Sequence, residues 1–303
     1  RSGRYPEASA LFVRALAIQE KALPIDHPDL ERHIRDLGNV YLETGNYPEA
    51  RRLYERSLAI MLKVRPPNDP DVADILYNLA ITLRRMGDYA EARPLYERVL
   101  AIKKEALGGE NPEIAFFLNG YAVFLRETGD YAEAKANYES ALQIRKKQSG
   151  DNHLEVAAIL NNLARLLLET GDYSGARTRF EEALEIRGKV LPPDHPQIAQ
   201  SLHNLALLHT QTGDTEKARL VFQRALEIRR KVLPPNHPEV ATTLEKLANL
   251  LIWNDRSSHP GRDAGRTRRR SRWLHRRLIK LIFADRAFWA RRHGRDPSGA
   301  ASH

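Results

Sequence analysis

A glycine recurs along this chain at a constant interval of 42 residues, at Gly3, Gly45, Gly87, Gly129, Gly171 and Gly213. A self-similar period of this length is typical of stacked repeat architectures, in which each structural unit packs mainly on its neighbours. The period therefore limits the possible folds more strongly than any local motif does.

The repeating unit shows two apolar stripes with helical spacing, separated by a turn. In residues 160–187 the stripes are Leu160, Leu163, Ala164 and Leu167, followed by Ala176, Phe180, Ala183 and Leu184. Between them, Gly171 permits the left-handed conformation that ends a helix, and Asp172 can cap the start of the next helix. The unit is therefore predicted to be a helical hairpin.

The spacing of Leu163, Ala164, Ala176, Phe180 and Ala183 resembles that of the tetratricopeptide repeat, whose usual length is about 34 residues. The extra residues lie mostly after Ala183 and lengthen the second helix. This longer form is similar to the repeats of kinesin light chain and related bacterial proteins, and the resemblance extends from residue 1 to about residue 253. It implies an all-α, right-handed superhelical solenoid of antiparallel helix hairpins.

The period divides residues 1–254 into a half repeat, five full repeats and one terminal helix. First helices are predicted to begin near Pro28, Pro70, Pro112, Leu154, Pro196 and Pro238. Residues 1–22 match a second helix whose partner would precede Arg1. We therefore expect the sequence to be a fragment of a longer chain.

The residue before each of these starts is placed to cap the helix: His27, Asp69, Asn111, His153, His195 and His237. The four histidines are unsuited to sharing one metal ion. Packed helices lie about 8–10 Å apart, whereas metal–ligand bonds are about 2 Å long. We expect capping and no metal site.

Charge is distributed unevenly between the repeats and the segment that follows them. Residues 255–303 carry 14 Arg and Lys against 4 Asp, whereas the preceding residues carry 34 basic and 35 acidic groups. Two interpretations of this basic tail remain open. It is a genuine segment, disordered or helical, that binds nucleic acid or a membrane, or it is an out-of-frame translation that interrupts the last hairpin.

Several function classes receive no support from the sequence. It contains no cysteine, which excludes disulfides and thiolate metal sites. It contains no long apolar run, and its start is not a signal peptide. We expect a cytoplasmic protein. It also contains no nucleophile elbow, no phosphate-binding loop and no HExxH motif. We therefore expect neither catalysis nor a cofactor, and no small-molecule substrate.

The residues beside each first-helix core stripe are the candidate site. In tetratricopeptide proteins this side lines a concave groove that binds peptides, and the resemblance implies the same role here. The candidates are Arg35, Asn39, Tyr77, Asn78, Arg84, Asn119, Arg126, Asn161, Asn162, Arg165, His203 and Asn204.

The chemistry of these candidates allows two readings. Asparagine amides suit an extended peptide backbone, but they also suit hydrogen bonds between neighbouring hairpins. The arginines can bind carboxylates, or they can pair with acidic neighbours such as Asp36, Glu127 or Glu169. The carboxylate clamp of chaperone-binding relatives is incomplete, because Phe116 and Gly120 occupy its last two positions.

We therefore expect a protein-interaction scaffold that binds an extended peptide or partner protein of unknown identity. Two alternatives remain: the sensor arm of a larger multidomain signalling ATPase, and a protein anchored to nucleic acid or a membrane through its basic tail. Self-association through the terminal hairpins is also compatible with the pattern.

Overall fold

The computed structural model describes residues 5–257, and the side chains of residues 7–252 within them; every regular element there is an α-helix. The chain separates into two compact units, Arg1–Gly150 and Asp151–His303. The first unit contains α1 (Tyr5–Ala22), α2 (Pro28–Thr44), α3 (Tyr47–Val64), α4 (Pro70–Met86), α5 (Tyr89–Leu107), α6 (Pro112–Thr128) and α7 (Tyr131–Ser149). The second contains α8 (Leu154–Glu169), α9 (Tyr173–Val190), α10 (Pro196–Gln211), α11 (Thr215–Val232) and α12 (Pro238–Ser257).

These helices confirm the predicted all-α repeat fold. Each first helix begins at its predicted residue, and five antiparallel hairpins lie between α1 and α12. The last helix continues to Ser257, three residues beyond the predicted end of the array. Gly3 and the predicted tail from residue 258 onward lie outside the described residues, so the division into array and tail stays a prediction.

The periodic glycines turn the chain between the two helices of each hairpin. Gly45, Gly87, Gly129, Gly171 and Gly213 all have φ between 81° and 90°. The residue after each glycine donates its N–H to a carbonyl five residues earlier, at 2.8–2.9 Å. This bond and the left-handed glycine form a Schellman motif, which satisfies carbonyls that the ending helix leaves unpaired.

First helices begin with side-chain caps, as predicted. The side chains of His27, Asp69, Asn111, His153, His195 and His237 each accept the backbone N–H two residues later. The histidines accept through Nδ1 at 3.2–3.3 Å. Each histidine is thus engaged at the start of its own helix.

Second helices begin differently, and only part of the sequence prediction applies to them. Asp172 accepts the N–H of Gly175 at 2.9 Å and caps α9 as predicted. Asp88 and Asp130, the equivalent residues of α5 and α7, make no such bond. The Asp130 carboxylate instead accepts from Arg93 of the preceding hairpin at 2.9 Å. The corner aspartate there joins successive hairpins.

A buried aromatic ring stands at the same repeat position in each of the five hairpins. The rings of Tyr54, Tyr96, Tyr138, Phe180 and Phe222 are at most 1% exposed. Each lies 16 residues after the small residue of its hairpin, namely Gly38, Ala80, Ala122, Ala164 or Ala206. A Cβ on Gly38 would lie 2.9 Å from the Tyr54 ring, so a larger residue there would displace the ring.

No helix among residues 5–257 is both long enough and apolar enough to span a bilayer.

The corner geometry predicts opposite effects for two glycine substitutions in the second unit. Gly171→Ala should lower the free energy of unfolding by about 1–2 kcal/mol, because φ is 84° and a Cβ is strained there. Gly188→Ala should raise it by about 0.5–1 kcal/mol, because Gly188 lies in α9 and a Cβ there meets open space. Urea unfolding followed by circular dichroism measures both changes. A neutral Gly171→Ala variant would contradict the left-handed corner.

Candidate peptide groove

The predicted site residues lie on first helices, which neighbour one another within each unit. In the first unit α2 contacts α4, and in the second unit α8 contacts α10. We call the side of these helices that flanks the core stripe the first-helix face. It is described separately for the two units.

In the first unit, Asn39 links two hairpins. Its side-chain oxygen accepts from the Tyr54 hydroxyl at 2.7 Å and from the Asn78 amide at 3.3 Å. Asn39 is exposed and Asn78 is half-buried, so both amides remain within reach of a ligand. Arg35 is also half-buried, with its guanidinium 3.5 Å from the Glu31 carboxylate.

Tyr77 does not project from the first-helix face, contrary to the prediction. It is 6% exposed and packs against the rings of Tyr96 and Phe117 at centroid distances of 5.9 and 5.0 Å. Its hydroxyl occupies the space beside Gly120, where a Cβ would lie 1.9 Å away. Glycine at that position thus admits the tyrosine to the core. Phe116 is the exposed ring of this cluster, at 55%.

Arg84 and Arg126 share one acidic partner. A terminal nitrogen of Arg84 donates to both carboxylate oxygens of Glu127 at 2.8 Å, which connects α4 with α6. The Arg126 guanidinium lies 3.6 Å from the same carboxylate. The two arginine side chains are only 10% and 9% exposed. This geometry favours the reading in which they pair with Glu127.

In the second unit, two of the predicted asparagines bond to each other. The Asn204 amide donates to the side-chain oxygen of Asn161 at 3.0 Å, and the two residues are 8% and 2% exposed. The amide pair joins α8 to α10 and favours the structural reading for both residues. The remaining candidates also have interaction partners within the chain: Asn119, Asn162 and Arg165.

His203 is buried, contrary to the prediction that it faces a ligand. It is 8% exposed and meets the Phe222 ring edge-on at 5.3 Å. Its Nδ1 lies 3.4 Å from both the Arg229 guanidinium and the Thr243 hydroxyl. Burial, together with the positive charge of Arg229, lowers the pKa of His203 to about 4. The imidazole is neutral at pH 7 and belongs to the core.

A cavity of about 440 Å³ lies on the first-helix face between α10 and α12. Its apolar lining consists of Leu207, Phe222 and Leu250. Its polar lining consists of Thr210, Gln211, Lys246 and Asn249. An apolar lining with a few polar groups is typical of binding sites for small ligands or single side chains.

The predicted site residues include none of the residues that line this cavity. The repeat period nevertheless relates two of the lining residues to predicted site positions. It places Asn249 at the position of Asn39, and Lys246 at the position of Asn204. The site prediction names no residue of α12, although the repeat period extends to that helix.

Comparisons with known protein families and structures agree with this architecture. A family model described as "Tetratricopeptide repeat" matches residues 1–63, 113–189, 176–231 and 197–255, and a second model with the same description matches residues 72–113. A comparison with curated protein sequences found no match. The tetratricopeptide repeat is in general a protein-interaction scaffold and is typically non-catalytic.

Solved structures include similar repeat arrays. The chain is 26% identical to BtubC (BKLC) from P. vanneervenii, with a TM-score of 0.60 over 77% of this chain and 94% of that one. It is 27% identical to a putative kinesin light chain with TPR-like repeats from Podosopora anserina, with a TM-score of 0.57 over 68% of this chain and 97% of that one. The predicted kinesin-light-chain-like repeats are confirmed. RapI in its apo form, at 16% identity, a TM-score of 0.57 and 85% coverage of both chains, shares the fold.

The buried amide pair predicts a stability effect that separates the two readings of the asparagines. Asn204→Ala should lower the free energy of unfolding by about 1–3 kcal/mol, because the Asn161 amide is left buried without its partner. The double variant with Asn161→Ala should cost less than the sum of the single changes. Urea unfolding of the four proteins measures the coupling. Asn249→Ala, at an exposed position, serves as the control. An Asn204→Ala variant of unchanged stability would favour ligand contact instead.

The lowered pKa of His203 predicts that the folded protein becomes less stable as the pH falls. The unfolded chain takes up this proton near pH 6.5 and the folded chain near pH 4. The stability contribution is therefore fully present above pH 6.5 and decreases as the pH falls toward 4, by roughly 3 kcal/mol at most. Thermal unfolding between pH 7 and 4 measures the loss, and His203→Gln should lack that component. Identical pH profiles of the two proteins would contradict the neutral buried histidine.

Proposed function

We propose, since this chain belongs to the tetratricopeptide repeat family, that its first-helix face binds an extended segment of a partner protein. The cavity between α10 and α12 is the observation that carries this proposal, because it combines an apolar floor with exposed polar groups on the predicted side of the repeats.

The floor of the cavity fits an apolar side chain of the partner. Leu207, Phe222 and Leu250 supply the contact surface. Burial of an apolar group stabilises a complex by about 0.8 kcal/mol for each methylene. A single leucine-sized side chain thus provides a useful anchor.

The polar rim fits the backbone on either side of that anchor. The amides of Gln211 and Asn249 can each donate and accept, which matches the alternating groups of an extended peptide. Extended chain advances about 3.3 Å per residue, and packed helices lie about 8–10 Å apart. About two to three peptide residues therefore correspond to one hairpin. The Lys246 ammonium adds preference for a carboxylate.

In the first unit, the exposed part of the same face has a comparable composition. Asn39 and Asn78 present amides, and Phe116 presents an aromatic surface. We include these residues and Arg35 in the proposed binding surface of that unit. The buried Tyr77, Asn161, His203 and Asn204 take a supporting role in the proposal.

The proposal predicts a selective loss of peptide binding on the rim of the cavity. Peptides selected from a displayed random library against the full chain would serve as probes, and fluorescence anisotropy would give their affinities. Lys246→Glu and Asn249→Ala should each weaken binding about tenfold or more, because each removes a polar contact to the peptide. The melting temperature should stay within a few degrees of the original protein.

Lys217→Glu provides the matched control for the charge change. Lys217 lies on α11, and its side chain is 65% exposed and does not line the cavity. This variant should bind the selected peptides normally. Equal loss in Lys217→Glu and Lys246→Glu, or retained binding in both rim variants, would contradict the proposed site.

A further inference from the structure

In the first unit, two second helices each carry an arginine that bonds to the linker preceding its own hairpin. Arg56 of α3 donates to the backbone carbonyl of Ile25 at 2.8 Å. Arg98 of α5 donates to the backbone carbonyl of Pro67 at 2.9 Å. The two contacts are equivalent, because both arginines and both carbonyls are one period apart.

The third linker of this unit has the same turn but lacks the arginine. The linker N–H that closes the turn bonds to Pro24 before α2 and to Gly108 before α6, at 2.9 and 3.2 Å. Gly109 therefore takes the place of Ile25 and Pro67. On α7 the arginine position is occupied by Ser140. Among the described residues, no side chain donates to the carbonyl of Gly109.

A cavity of about 460 Å³ occupies the place where the missing side chain would lie. It is bounded by α5, α6, α7 and the linker. Its polar lining includes Lys104, Gly109, Glu110, Asn137, Ser140 and Lys147. A second substitution enlarges it, because Asn137 stands at the position where α3 has the buried Leu53.

We propose that this cavity is a subsite for the arginine side chain of a partner polypeptide. The incoming guanidinium donates to the carbonyl of Gly109, as Arg56 and Arg98 do to the equivalent carbonyls of the linkers before their own hairpins. The subsite lies between second helices, so it is separate from the first-helix face and its partner segment.

The charged residues around the cavity affect guanidinium binding in two ways: the Lys147–Glu110 pair is compatible with it, and Lys104 opposes it. Lys147 forms an ion pair with Glu110, as Lys63 does with Asp26 beside Arg56, so this pair leaves room for a guanidinium. Lys104 occupies the position of Glu20, whose carboxylate accepts from Arg56 at 2.5 Å. This reversed charge weakens the subsite, and it provides a sharp test.

The test is an NMR titration of the full chain with N-acetyl-arginine methylamide, observed through backbone amides. The resonances of Gly109 and Ser140 should shift, with a dissociation constant on the order of millimolar. Ser140→Arg should weaken binding at least about tenfold, because its own side chain fills the cavity. Lys104→Glu should strengthen binding roughly threefold to tenfold, because it gives the bound guanidinium an acidic partner equivalent to the one that Arg56 has in Glu20.

Three probes define the ligand class. The citrulline analogue should not bind, because it has the shape of arginine without its charge. Free arginine should bind like the capped form, because only the side chain enters. Equal shifts with citrulline, no shift at Gly109, or a preference of about tenfold or more for the free amino acid would overturn the proposal. Tighter binding of N-acetyl-glutamate methylamide, weakened by Lys104→Glu, would identify an anion site and also overturn it.

Discussion

A buried aromatic ring recurs in every hairpin, and in the first hairpin it packs directly against Gly38, a residue without a side chain. The small residue lets the two helices approach, and the ring fills the space between them at the density of a protein interior. In the first unit the Tyr96 ring also lies 5.1 Å from that of Phe124, on the next hairpin along. One side chain thus fixes the two helices of its own hairpin and the position of the neighbour. The corner glycines and helix caps set where the helices end and begin, so that the rings can pack in this way.

Contacts between hairpins use part of the polar surface of the first-helix face, and the remainder is the surface proposed for recognition. Two polar pairs between neighbouring hairpins are used internally, namely the Asn204–Asn161 amide pair and the Arg84–Glu127 ion pair. The polar groups proposed to contact a ligand lie on the rim of the cavity, at positions such as Asn249. A residue type suited to binding therefore does not by itself identify a binding residue in a repeat protein.

The sequence predicted the helix boundaries closely because they depend on local chemistry. Glycine at the corners, proline at the first helical position and a polar cap before it act within a few residues of themselves. Burial was harder to predict because it depends on residues about one period away. Tyr77 is buried because the residue on the facing helix is Gly120, and His203 is buried beside Thr243 of α12. Helical spacing gives the direction of a side chain but not what covers it.

Contacts between positions one period apart also restrict how such an array can change in length during evolution. Duplication or loss of a whole 42-residue unit preserves the packing position of every buried ring, because each hairpin meets an equivalent neighbour. An insertion of a single residue inside a helix rotates the rest of that helix by about 100° and moves the ring out of its packing position. Arrays of this kind are therefore expected to grow in whole hairpins, each adding a similar length of surface.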